Sequence, residues 1–184
     1  ARAPAVKPVE SGIEWPPGGM LRREDLTEER LEQIAALSAR LTGSRPLSRA
    51  EREASLAAVM RGKLRDDDVW LFGYGSLMWN PAIKLVESRP ALVRGYHRWF
   101  CLDMRLGRAM PDRPGLMLGL DRGGSCQGFA HRIAAADVES ELTILWRREM
   151  VSGAYRPRWV SAKISCGVVR AVTFIVDRRR ERYA

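Results

Sequence analysis

The 184-residue chain reads as an α+β fold of antiparallel character preceded by an N-terminal helical extension. Three observations predict this. From Val69 onward, β-branched and aromatic runs alternate with glycine-rich breaks, as in short paired strands. One amphipathic stretch, residues 135–150, interrupts them as a helix. The first 68 residues carry two apolar stripes at helical spacing instead. The chain therefore divides into an arm and two-helix extension over 1–68 and a main domain over 69–184.

The elements follow in order. Pro4, Pro8, Pro16, Pro17, Gly18 and Gly19 keep residues 1–20 from forming a regular element, so they are an irregular arm. Leu31, Ile34, Leu37 and Leu41 repeat at three and four, which predicts a helix over 25–42 stopped by Gly43. Ser48-Arg49-Ala50-Glu51 matches a capping box and starts a second helix running to Arg61. Leu56, Val59 and Met60 form its buried side. Gly62 and Asp66-Asp67-Asp68 read as a linker.

Val69 to Phe72 is a buried strand ending in glycines. Ala91 to Leu102 is a second strand. Leu116 to Leu120 and Gln127 to Ile133 are two more, separated by a hairpin-type turn at Asp121-Arg122-Gly123-Gly124-Ser125. The helix of 135–150 comes next. Arg158–Ser165 and Val168–Val176 close the fold as a strand pair around Gly167. The apolar stripes of the extension need a surface to cover, so its helices are expected to pack on the main domain.

Composition excludes several classes. No apolar run approaches the roughly 20 residues of a membrane helix, and Ala1 to Met20 lack a signal-peptide core. Cys101, Cys126 and Cys166 are an odd, widely spaced set without C-x-x-C, which argues against a disulfide framework or zinc ribbon. With His97 and His131 as the two histidines, a metal site is not expected. These features read as a cytoplasmic protein in a reducing compartment. Residues 1–68 balance 12 basic against 12 acidic side chains, so the net +9 resides in 69–184, which hold 19 basic and 10 acidic. Arginine supplies 27 of the 31 basic residues. Such a face suits a small anionic substrate or nucleic acid, or is simply solvated. The run Arg178-Arg179-Arg180-Glu181-Arg182 reads as a surface tail.

Two places carry chemistry. Phe72-Gly73-Tyr74-Gly75-Ser76-Leu77 follows a strand directly, as a loop whose amides turn toward a ligand would. It is not a dinucleotide fingerprint, because Met78 holds the third glycine position. It is not a nucleophile elbow either, because Tyr74 and Met78 flank Ser76 where glycines are needed. The second place is Glu149. At 100° per residue it falls on the same arc as Val138, Leu142 and Leu145, so a carboxylate stands in the core-facing stripe of a helix. A buried carboxylate is costly, and its raised pKa makes it a better base near neutrality. The plainer reading is a solvated residue at a helix end, or one paired with Arg147 or Arg148. His97 and His131 read as structural hydrogen-bonders, and Cys101 and Cys126 as small core residues.

Together these segments resemble the γ-glutamylcyclotransferases, in particular the ChaC-like, glutathione-specific branch. The resemblance rests on Val69 to Pro81 and on Leu145 to Tyr155. It is extended by Arg94-Gly95-Tyr96-His97-Arg98-Trp99-Phe100 and by Arg113 to Leu120, and it covers 69–184. It implies a mixed β-barrel with flanking helices and release of 5-oxoproline and cysteinylglycine from glutathione, with no metal or cofactor. It maps the glycine loop that holds the γ-glutamyl end onto Leu71, Phe72, Gly73, Tyr74, Gly75, Ser76 and Leu77. It maps the catalytic glutamate onto Glu149, and Tyr155 onto a tyrosine that follows it. Family members usually continue into a C-terminal helical segment, which is expected to be missing after Ala184, and the short members lack residues 1–68.

The implied chemistry suits the residues. The substrate's own α-amine attacks its γ-carbonyl, so the nucleophile is tethered and proximity comes with it. The protein has to move protons, and one carboxylate can act as base and then as acid. Arg105 and Arg113 are candidates for the glycyl carboxylate. Alternatives are a cyclotransferase for other γ-glutamyl peptides or amines, a binding protein derived from such an enzyme, and an Arg-rich nucleic-acid-binding module. The last lacks any recognisable nucleic-acid motif. No membrane or nucleic-acid partner is expected, and the sequence is silent on oligomeric state.

Overall fold

The computed structural model describes residues 21–63, 67–105, 109, 113–180 and 182–184. The arm expected over 1–20 and part of the expected linker lie outside them.

Five strands close a barrel. They are Val69–Gly73 (β1), Glu87–Met104 (β2), Gly115–Ile133 (β3), Tyr155–Ile164 (β4) and Gly167–Val176 (β5), in the spatial order β1-β3-β2-β4-β5. The helices are Glu28–Thr42 (α1), Arg49–Met60 (α2) and Val138–Met150 (α3). Neighbouring strands run antiparallel, except that β5 lies parallel to β1 and shuts the barrel.

Apolar residues fill both sides of the barrel wall. Phe72, Val93, Leu120, Ala130, Ala162 and Ile175 form one cluster. Leu71, Phe174 and Val176 join Leu142, Leu145 and Trp146 of α3 in another. Strand β5 feeds both clusters, so its burial is unbroken from Ala171 to Val176. A strand covered on two faces reads as a continuous apolar run.

The extension packs on this domain, as its stripes require. The hydroxyl of Thr27 caps α1 by accepting from the Arg30 N–H, and the Gly43 N–H closes its far end on Ala39. Ser48 and Glu51 form the capping box at the start of α2. Val59, with Leu56 and Met60 part-buried beside it, meets the α3 cluster. Trp146 Nε1 donates to Ser55 Oγ at 3.2 Å. Leu31, Ile34 and Ala35 of α1 pack with Val151 just beyond α3. Buried Arg52 ties the two helices by donating to Glu28 and to the Leu47 carbonyl. Among the described residues, no helix is long and apolar enough to cross a membrane.

Two expectations are corrected. Residues 121–125 are not a hairpin turn. They lie inside β3, which runs 19 residues without reversal, beside a β2 that starts at Glu87 rather than Ala91. Gly95, Gly123 and Gly124 adopt positive φ of 84°, 104° and 64°. The register shifts there, between Arg94 and Tyr96. These glycines bend the long strand pair instead of ending it, as a bulge does. Arg178 and Arg182 of the basic run do not belong to a free surface tail. Arg178 pairs with buried Asp121, Arg182 is itself buried, and Tyr183 bridges Leu102 of β2.

Candidate active site

α3 carries two poorly exposed carboxylates, and their surroundings set them apart. Glu141 receives a bidentate Arg23, Nη1 to Oε2 at 2.5 Å and Nη2 to Oε1 at 2.8 Å, plus the Lys84 N–H at 2.9 Å. Those bonds, Arg23 foremost, hold its carboxyl below the usual range despite burial. Glu149, two turns on, has 14% of its side chain exposed. Its ion partner is Arg148, Nε to Oε1 at 3.1 Å. Burial outweighs that cation and raises the Glu149 pKa. One acid is thus locked as an anion, while the other is poised to exchange a proton. Sequence reading singled out Glu149 and missed Glu141, which lies beside the stripe, not on it. Arg23, its partner, is 118 residues away.

A cavity of about 520 Å³ opens at Glu149. Tyr74, Ser76, Tyr155 and Arg182 are among its other polar walls. Leu31 and Ile34 of α1, with Phe100 and Leu116 from the β2 and β3 arms, line it with apolar surface. Tyr74, Gly75, Ser76, Leu77, Glu149 and Tyr155, all anticipated from sequence, come together there. Leu71, Phe72 and Gly73 do not line it. The side chains of Leu71 and Phe72 are in the core, and these residues act as the strand on which the loop is mounted. A Cβ on Gly73 would meet Leu77 at 3.0 Å, so a glycine lets the chain fold back over itself. At Gly75 a Cβ would meet nothing within 4 Å.

The loop is held by side chains from three other elements. Arg98 of β2 donates from Nη1 to the Tyr74 carbonyl at 2.8 Å. His131 of β3 bonds the Leu77 carbonyl through Nε2 at 2.9 Å, with Ser88 Oγ on its Nδ1 at 2.7 Å. Arg148 donates to Ser76 Oγ at 3.0 Å and to the Asn80 carbonyl at 2.5 Å. Burial lowers the His131 pKa, and its bond to Leu77 opposes that only in part. His131 is a structural hydrogen-bonder, as expected. His97 sits more openly and bonds the Gly123 carbonyl at 3.1 Å.

Tyr74 Oη donates to the Phe174 carbonyl at 2.9 Å, and Tyr155 shares the cavity wall with it. Burial and the nearby Glu149 push both pKa values up, so both remain neutral donors. Arg105 lines the cavity too but is paired with Asp103 at 2.8 Å; Arg113 is exposed and does not line it. Among the described residues, no cluster of three His, Cys, Asp or Glu side chains is placed to hold a metal.

A sequence profile of the ChaC-like protein family matches residues 69–184. The chain belongs to that family. A curated relative, the glutathione-specific γ-glutamylcyclotransferase of Escherichia coli strain K12, is 44% identical over 137 residues. That alignment covers 74% of this chain and 59% of the relative. The glutathione-specific γ-glutamylcyclotransferase 1 of Mus musculus is 37% identical over 95 residues, covering 50% of this chain and 43% of its own. The chain thus spans roughly half the length of these relatives. The crystal structure of a yeast γ-glutamyl cyclotransferase specific to glutathione superposes with a TM-score of 0.56 at 17% identity, covering 63% of this chain and 72% of that one. That likeness establishes the shared fold. The ChaC-like match excludes the extension, so α1 adds its cavity wall from outside the family-matched region.

Proposed function

We propose that this chain is a glutathione-specific γ-glutamylcyclotransferase. The observation that carries the reading is the cavity-lining Glu149, whose pKa burial raises while its neighbour Glu141 is locked as an anion. The family relatives that act on glutathione support the choice of substrate.

In this mechanism, Glu149 takes a proton from the α-amine of the γ-glutamyl group. The amine nitrogen attacks the γ-carbonyl carbon, and a C–N bond closes the five-membered lactam. The amide bond to the cysteinyl nitrogen breaks, and Glu149 returns the proton to that leaving amine. One carboxylate serves as base and then acid. Amides of residues 73–77 are the donors for the α-carboxylate or the developing oxyanion, and the neutral Tyr155 phenol is a further donor. No cofactor enters this scheme. The fixed loop holds one rotamer of a tethered nucleophile, which is where much of the acceleration arises.

The basic excess fits a doubly carboxylated peptide better than a nucleic-acid face. Arg89, Arg132, Arg148, Arg178 and Arg179 are each committed to an acidic partner within the chain. The thiols Cys101, Cys126 and Cys166 are free, which suits a cytoplasmic setting.

The test is release of 5-oxoproline from glutathione by this chain and by Glu149→Gln. The amide keeps shape and removes the base, so release falls by about 10²–10⁴-fold. Equal activity in both proteins would remove Glu149 from the chemistry. Turnover of other γ-glutamyl dipeptides in preference to glutathione would move the substrate assignment.

A further inference from the structure

We propose that Arg182 binds the C-terminal carboxylate of the peptide substrate. This assignment rests on the cyclotransferase reading above and adds a second anchoring point to its site. Arg182 is 9% exposed and lines the same cavity as Glu149 and Tyr155. Its guanidinium donates from Nε at 3.0 Å and from Nη2 at 2.7 Å, both to the backbone carbonyl of Asp103. Among the described residues, no carboxylate side chain stands within 4.0 Å of it, unlike Arg105, Arg148, Arg178 and Arg179. A desolvated cation without an anion is costly. Burial accordingly lowers its pKa, against the pull of Tyr155 and Asp103. A substrate carboxylate in the cavity supplies the missing counter-charge, and the free edge of the guanidinium is shaped to receive it.

The order of groups selects which carboxylate. Glu149 already has its cation in Arg148, Nε to Oε1 at 3.1 Å, whereas Arg182 lines the cavity with no carboxylate of the described residues beside it. Arg182 is thus a second cation of the cavity wall, separate from the pair that Glu149 makes. The α-carboxylate is joined to the carbon bearing the attacking amine and must stay beside Glu149 and the glycine loop. The terminal carboxylate lies about two residues beyond the scissile amide, a reach of roughly 7 Å in extended chain.

The chain is built to hold Arg182 there. Its carbonyl accepts from the Asp103 N–H at 2.8 Å, and the Ala184 N–H donates to the Cys101 carbonyl at 2.9 Å. Asp121 anchors the same segment by accepting from Arg178 and, at 2.9 Å, from the Tyr183 hydroxyl.

The experiment compares glutathione with its glycyl monoethyl ester on this chain, on Arg182→Gln and on Arg182→Lys. Steady-state 5-oxoproline release and calorimetric binding are both measured. In the parent, the ester is expected to raise KM and Kd by about 10- to 100-fold. Arg182→Gln is expected to impose that same penalty on glutathione, with kcat nearly unchanged, and to make acid and ester equivalent. Arg182→Lys should restore part of the discrimination. A parent that treats acid and ester alike overturns the assignment. So does an Arg182→Gln protein in which both ligands weaken equally, since that reports a role unrelated to the terminal carboxylate. If Arg182→Gln does not fold, the parent's acid–ester ratio and the lysine variant decide by themselves. If the parent binds glutathione more tightly than the ester yet releases no 5-oxoproline, the cyclotransferase reading fails while the Arg182 contact stands. Binding of neither ligand overturns both.

Discussion

Arg148 Nε lies 3.1 Å from Glu149 Oε1, and the same guanidinium reaches the glycine loop at Ser76 Oγ and the Asn80 carbonyl. One side chain therefore both tempers the carboxylate and pins the loop against it. Arg148 lowers the Glu149 pKa, so its loss must raise it further. The base has to be deprotonated to act. In Arg148→Met the acidic limb of the kcat/KM profile is expected to move to higher pH. Release of the loop should cost about 10- to 100-fold in kcat/KM at neutral pH, in line with loss of charged hydrogen bonds. A pH–rate profile checks both. A uniform fall with an unmoved limb would mean that Arg148 holds the loop and leaves Glu149 untouched.

Glu149 also has a stability signature. Its folded-state pKa is raised above the ordinary 4.5. The native state therefore binds this proton more tightly than the unfolded chain does, and ionising the group costs stability. The cost is absent below the unfolded value and is fully present once pH has risen through the folded value. Glu149→Gln is expected to have a higher Tm than the parent at pH 7 to 8, with the difference shrinking toward pH 4. Thermal melts across that range read the sign directly. A variant less stable at every pH would show the Arg148 pair outweighing the burial cost.

Much of this was legible in the sequence because the signals are local. A helix stripe with one acid on it points to Glu149 without any partner being known. Ser48 and Glu51 announce a helix start within four residues. What escaped is set by distant contacts. Asp121-Arg122-Gly123-Gly124-Ser125 has turn composition, and pairing with Arg94 and Tyr96 of β2 turns it into a bent strand. The basic run near Arg178 looks solvated until Asp121, 57 residues away, is brought beneath it. The wall that α1 contributes to the cavity was not legible either, since its stripe says only that something apolar covers it.

The Asp121 hub should show itself at acid pH. It accepts from Arg178 Nε at 2.9 Å, from Tyr183 Oη at 2.9 Å, from Trp99 Nε1 at 3.3 Å and from the Arg122 N–H at 2.8 Å. Burial works to raise its pKa, but these donors, Arg178 foremost, bring it to about 2, below the ordinary 3.8. The resulting stability is complete above 3.8 and is lost as pH falls toward 2. Asp121→Asn is expected to cost about 2 kcal/mol at pH 7, less than a fully buried pair because Arg178 is half exposed. That corresponds to about 4–8 °C in Tm for a domain of this size. The gap between parent and variant should close in melts near pH 2 to 3. The variant should also bind glutathione less tightly, because the segment that carries Arg182 loses its anchor.

The α1 wall gives a test that separates substrate binding from folding. Ser38 lines the cavity and is part-exposed, while Ala36 on the same helix faces solvent away from it. Ser38→Trp fills cavity space without breaking a core contact. It is expected to raise KM for glutathione by on the order of tenfold or more, with kcat less affected because Glu149 and the loop stay in place. Ala36→Trp adds the same ring to the solvent face and should leave KM unchanged. Both variants should melt within about 2 °C of the parent, as substitutions off the core do. Equal KM values for the two would mean that substrate never reaches α1, and the helices of the extension would then act as scaffold for α3 alone.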